Sequence, residues 1–156
     1  MYKLNFDAAV FASTRSLGVG VIVRNSLGDV MASPSARGLA VANSEEALAL
    51  VWRKAVEFAM DVGFTDLVIE GDNAAVMKAI ASPQLDRSRL GHIYDDTCTL
   101  TIGFRSCTIG CVKRSANSVA HSLARFASHL DEELVWLEES PPLALDTLYL
   151  DASYFE

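Results

Sequence analysis

Basic residues are scarce in this chain: 13 Lys and Arg stand against 20 Asp and Glu, a net charge of −7. A domain that grips nucleic acid through its phosphates alone carries a basic stripe, and no large one is present. Any nucleic-acid affinity is therefore expected to be local and modest, or aided by metal ions or a neighbouring domain. Cysteine is also sparse. Cys98, Cys107 and Cys111 are odd in number and form no C-x-x-C, which argues against a disulfide framework and leaves a zinc site short of ligands. Buried free thiols in a reducing compartment are the expectation. Four prolines and nine glycines are too few for a low-complexity or collagen-like chain. No stretch reaches the ~18 consecutive apolar residues of a membrane span. The opening residues, Met1 to Asp7, alternate as a strand does and lack the apolar run of a secretion signal. A soluble intracellular protein, nuclear or cytoplasmic, is the expectation. Its first strand starts at the second residue, as in a stand-alone protein or an excised domain.

What is present is enough hydrophobic sequence, 51%, for one domain with one substantial core in 156 residues. Residues 2 to 11 alternate as a strand, with Tyr2, Leu4 and Phe6 on one face and Lys3, Asn5 and Asp7 on the other. Residues 18 to 24 are a β-branched strand, and residues 25 to 29 form a five-residue turn with Gly28 suited to a left-handed position. A third strand returns from Val30 to about Ser35. The period then changes. Residues 44 to 62 form a helix that Ser44 can cap, with Glu45 and Glu46 in its first turn and Gly63 closing it. Strand four covers residues 64 to 70, a short helix 73 to 80, a further helix 86 to 100, strand five 103 to 112, and a last helix 117 to 130. The order β-β-β-α-β-α-α-β-α fits an α/β domain, a mixed five-stranded sheet with helices on both faces. Strand four follows a helix and should run parallel to strand one. The tail, 131 to 156, holds too many apolar residues to stay free, and is expected to pack on its own domain or on a partner.

Parallel pairing of strands one and four would bring Asp7 and Asp72 together at the edge where both strands end, the edge where α/β sheets hold ligands. Like charges so placed repel unless a cation neutralises them. An oxygen-ligated divalent ion such as Mg²⁺ is the natural partner, and two such ions can drive phosphodiester hydrolysis. Any α/β protein has acids at strand ends, however. Asp72 could equally cap the helix after it, and Glu46, which competes with Glu45 for an inward role, could be a first-turn helix acid.

Five motifs in order resemble the plant reverse-transcriptase-like RNase H domains, relatives of the domain at the end of non-LTR retroelement polymerases. They are Asn5-Phe6-Asp7-Ala8-Ala9, the run Gly18 to Gly28, Glu45 to Leu50, Ile69-Glu70-Gly71-Asp72-Asn73, and Arg114 to Ala124. Trp136 to Pro142 resembles the tail of the same domains. The resemblance spans roughly residues 2 to 142, with 143 to 156 as a C-terminal tail. It implies a ribonuclease H-like fold with strand order 3-2-1-4-5. It also implies metal-dependent hydrolysis of the RNA strand of an RNA–DNA hybrid with two Mg²⁺ or Mn²⁺ ions. It selects Glu46 over Glu45 and makes Asp7, Glu46 and Asp72 three of four metal-binding acids.

The fourth position is His121, where active RNase H enzymes carry Asp. Imidazole is a nitrogen ligand that suits Mn²⁺ better than Mg²⁺, and it removes one negative charge. Asn117, one turn earlier on the same helix face, is counted among the nucleic-acid contacts; the alternative for His121 is a surface histidine hydrogen-bonded near Asn117. Asn43, Ser44 and Asn73 sit where contacts to the hybrid's minor groove and its 2′-hydroxyls are implied. Arg53 with Lys54, and Lys113 with Arg114, are the phosphate candidates, although such pairs are more often solvated surface features. Three functions stay open at this point: an RNase H, a catalytically weak nucleic-acid-binding domain, or a protein-interaction domain that associates weakly with itself or with a partner domain through its apolar tail.

Overall fold

The computed structural model describes residues 1–39, 43–81, 89–130 and 132–137. Three strands come first: β1 (Tyr2–Phe11), β2 (Ser16–Arg24) and β3 (Val30–Leu39). Helix α1 (Ser44–Val62), strand β4 (Asp66–Gly71), helices α2 (Ala74–Ala81) and α3 (Arg89–Thr101), strand β5 (Ser106–Cys111) and helix α4 (Ser118–Phe126) follow. A short strand, β6 (Leu134–Leu137), ends the described chain. The sheet order is β5-β4-β1-β2-β3-β6. Its first five strands run in the expected order, with β4 parallel and β2 antiparallel to β1.

The sixth strand is an addition that the sequence reading assigned to the tail. β6 pairs antiparallel with β3 and sends Trp136 onto the sheet face that α4 covers, with its ring 6.3 Å from Phe126. This part of the tail packs on its own domain. The remainder, the boundary at residue 142 and the segment 143–156 lie outside the described residues. β3 runs to Leu39 instead of stopping near Ser35, because β2 supplies pairing partners as far as Ser16↔Leu39. The last helix is also shorter than expected. An α-helical core over Ser118–Phe126 is flanked by 3₁₀ turns at Arg114–Asn117 and Ala127–His129.

Local chemistry explains the elements that frame the functional edge. In the β2–β3 turn, the Asn25 side-chain oxygen accepts from the N–H groups of Leu27 and Asp29, and Gly28 takes φ 86°. Asn43, and not Ser44, caps α1: its side-chain oxygen accepts from the Glu46 N–H at 2.8 Å. Gly63 closes the same helix at φ 99°, its N–H reaching the carbonyls of Ala59 and Met60.

α1, α2 and α3 pack on one face of the sheet around Leu4, Phe6, Trp52 and Ile69, all essentially inaccessible to water. α4 covers the other face, where Ile22, Val119 and Leu123 form a second, smaller core. The three cysteines are free thiols but not the buried ones expected: Cys98 and Cys107 are half-buried and Cys111 is exposed.

Candidate carboxylate–histidine site

β1 and β4 pair in parallel with Asn5 opposite Glu70. Two residues further along the same register, Asp7 faces Asp72, just past the end of β4. The carboxylates thus meet where the sequence predicted. Asp7 is buried, and burial pushes its carboxyl above the ordinary 3.8, with the negative charge of Asp72 pushing the same way. Two hydrogen bonds pull it back. Asp7 Oδ1 accepts from the Ala8 N–H at 2.9 Å, and Asp7 Oδ2 accepts from Nδ1 of His121 at 2.8 Å. Each carboxylate oxygen therefore already accepts one hydrogen bond. The second bond fixes the orientation of the ring, with Nε2 on the side away from Asp7.

His121 reaches Asp7 because α4 lies very close to the sheet. Gly20 is the residue opposite Asp7 on β2. A Cβ at Gly20 would fall on the carbonyl oxygen of Ala120, and one at Gly18 on that of Ala124. Neither obstacle is a flexible side-chain end, so only glycine fits. The signal for this was in the sequence: glycines two apart on a strand face alanines four apart on a helix, both patterns lining one face. The motif resemblance sets His121 beside the carboxylates, but no spacing along the chain predicts its direct hydrogen bond to Asp7.

Asn117 is spent on the fold. It is fully buried, and its side-chain N–H donates to the carbonyl of Phe6 at 2.9 Å. That bond pins the start of α4 to β1 one residue before Asp7. A fully buried side chain cannot make the surface contact to nucleic acid expected of it, and this assignment is corrected.

Glu46 lies in the first turn of α1. The helix runs back along the sheet to the start of β4, so this turn lies at the edge where β1 and β4 end. Glu46 is buried whereas Glu45 is exposed, which resolves the choice between them. Among the described residues, no three His, Cys, Asp or Glu side chains are arranged to hold a metal ion.

The polar candidates around this edge divide. Asn43, Ser44 and Asn73 are exposed. The side-chain oxygens of Asn43 and Asn73 are engaged as caps, the latter accepting from the Val76 N–H at 3.1 Å. Lys113 and Arg114 follow β5, which runs parallel to β4. The Val112 N–H donates to the Gly71 carbonyl at 2.9 Å, so both basic residues leave the sheet beside Asp72, and both are exposed. Arg53 and Lys54 stand apart from them. Arg53 is bound to Glu57 at 3.0 Å, and Lys54 is roughly 12 Å along α1 from Glu46 at ~1.5 Å per residue.

Comparison with known proteins agrees with this geometry. The family described as reverse transcriptase-like matches residues 5–127. No curated protein matches the chain in sequence. Among solved structures, an RNase H1 from the halophilic archaeon Halobacterium salinarum is 25% identical with a TM-score of 0.73, covering 82% of this chain and 97% of its own. The N-terminal RNase H domain of a Mycobacterium tuberculosis protein is 20% identical with a TM-score of 0.71, covering 82% and 93%. LC11-RNase H1, solved in complex with an RNA/DNA hybrid, is 14% identical with a TM-score of 0.63, covering 81% and 96%. With a match over most of its length and the strand order of the ribonuclease H fold, this chain belongs to the reverse transcriptase-like family.

Proposed function

We propose that this domain binds RNA–DNA hybrid at the edge formed by Asp7, Glu46, Asp72 and His121, and hydrolyses it only weakly. The hydrogen bond from His121 to Asp7 carries this reading. It places an imidazole where a fourth carboxylate would add charge, and it occupies an oxygen that a cation would otherwise take. The exposed Asn43, Ser44, Asn73, Lys113 and Arg114 are the surface that meets the nucleic acid. Binding is consistent with the hybrid found on LC11-RNase H1. The plant, retroelement-related subtype rests on the motif resemblance and on the histidine at position 121.

A second reading, divalent-cation-dependent hydrolysis, is favoured by one observation: the carboxylates of Asp7 and Asp72 are neighbours where the pairing of β1 with β4 ends. Two adjacent carboxylates supply the hard oxygen donors that Mg²⁺ or Mn²⁺ takes. Asp7 and Asp72 would hold such an ion, with Glu46 and the Nε2 of His121 as further donors, the latter suiting Mn²⁺. When bound, the ion supplies charge stabilisation and an activated water. The chain's own residues would orient the hybrid, and the Ala8 N–H and His121 offset part of the cost of ionising Asp7.

The test measures anisotropy of a labelled RNA–DNA hybrid at low salt, and its hydrolysis with Mg²⁺ and with Mn²⁺, for the wild type, Asp7→Asn and His121→Asp. The wild type should bind and turn over slowly. His121→Asp should raise cation-dependent hydrolysis by roughly tenfold or more, the scale of one added catalytic group. Absence of binding to hybrid, duplex or single strands would sink the binding reading. Wild-type turnover equal to that of His121→Asp would show that the histidine limits nothing.

A further inference from the structure

A second concavity lies away from the carboxylate edge. It is a groove of about 350 Å³ between the second half of α1 and the β2-β3-β6 part of the sheet. Its distance from the carboxylates follows from helix geometry: its α1 residues, Lys54 to Val62, lie roughly 12–24 Å along the axis from Glu46. Much of the lining is apolar, including Val21, Pro34, Phe58, Val62 and Val135. Val62 is 45% exposed and Val135 37%, so two large aliphatic side chains face water on the groove walls. The exposed apolar surface continues along β6, the outer strand of the sheet among the described residues, to Leu137 at 58% exposure. The rim is acidic. Glu57, Asp61 and Glu133 border the groove against a single Lys54. Arg53 satisfies Glu57, but Asp61 and Glu133 have no cationic partner among the described residues.

We infer that this groove is a docking site for a partner protein, and that its occupant is an apolar peptide segment carrying Lys or Arg. The volume is at the low end for a small-molecule pocket and suits the insertion of a few aliphatic side chains. The charge selects among occupants. Nucleic acid would meet an acidic rim. A second copy of this chain carries a net charge of −7 and presents the same rim. The chain's own residues 138–156 hold five Asp and Glu and no Lys or Arg. A basic, apolar segment alone satisfies both lining and rim, since charge complementarity of this kind sets partner choice.

The probe is a fluorescein-labelled peptide of about twelve residues with alternating Leu and Lys, a length that spans a typical strand with flanks. A Leu–Glu peptide of the same pattern is its control. The full chain should bind the first and not the second, with amide shift changes centred on Phe58, Val62 and Val135. Asp61→Lys with Glu133→Lys should weaken binding by roughly tenfold, because each reversal removes an attraction and adds a repulsion. Asp95→Lys with Asp96→Lys makes the same change of net charge on the exposed side of α3 and should leave affinity within roughly threefold. Equal weakening by both pairs would mean that the whole-molecule charge, and not the groove, holds the peptide. Binding of the Leu–Glu peptide as tightly as the Leu–Lys one would also overturn the inference. So would proton contacts from Val62 or Val135 to residues 138–156 in the free chain, or a dimer broken by Val62→Asp, which would give the groove to the tail or to a second copy.

Discussion

At Asp7, folding works against ionisation. Burial and the charge of Asp72 raise its carboxyl above the ordinary 3.8, and the hydrogen bonds from Ala8 and His121 recover only part of that cost. The folded state therefore holds this proton more tightly than the unfolded chain does. Stability from this group is complete below the ordinary carboxylate range and is lost as pH rises through the raised value. Asp7→Asn removes that loss while its side chain still accepts from Ala8 and meets His121. The variant should be more stable than the wild type near pH 7, by about 1 kcal/mol or roughly 3 °C in Tm. The gap should close as pH falls to about 3. Melting curves across this range check the sign. A variant that is less stable by a constant amount at every pH would refute the account.

Between elements, the close seating of α4 on β2 governs the site. Gly18 and Gly20 leave no room for a Cβ beneath the helix backbone. Gly20→Ala must push α4 outward, lift His121 from Asp7 and loosen Val119 and Leu123 from Ile22. A loss of about 2–3 kcal/mol is expected, read as a lower urea midpoint at unchanged slope. Periodicity made most of these elements legible in advance. The full strand order came with the motif resemblance, whereas the meeting of Asp7 with Asp72 followed from one inference, that a strand after a helix runs parallel to the first strand. What escaped had local causes. β6 is four residues long after an acidic stretch, too short for alternation to register. Asn43 and Ser44 are both good caps, and only the backbone bend decides between them. Asn117 reads as a polar surface residue until the sheet beneath it supplies the carbonyl of Phe6. The partner of His121 depends on a helix-to-sheet distance that no spacing along one segment encodes.

For the molecule as a whole, acidity constrains the proposed binding of nucleic acid. With a net charge of −7, affinity must come from a few well-placed contacts. Lys113 and Arg114 are exposed beside Asp72, whereas Arg53 is spent on Glu57. Binding of hybrid should therefore depend only shallowly on salt, with about two or three phosphates neutralised. Lys113→Ala with Arg114→Ala should reduce the slope of log K against log salt by about 2. A slope unchanged in the double variant would remove these residues from the interface. The contact between Asp7 and His121 has one more consequence, which concerns time. It joins residues 114 positions apart, and Asn117 reaches back 111 positions to Phe6. Closing so long a loop is slow and pays its entropy before any reward arrives. On a ribosome, β1 to β4 can pair while α4 is still unmade, leaving the Gly18–Gly20 strip and Ile22 bare to solvent. The pair is completed only as α4 settles, so a chain halted before His121 has five of the six strands and neither β6 nor the pair.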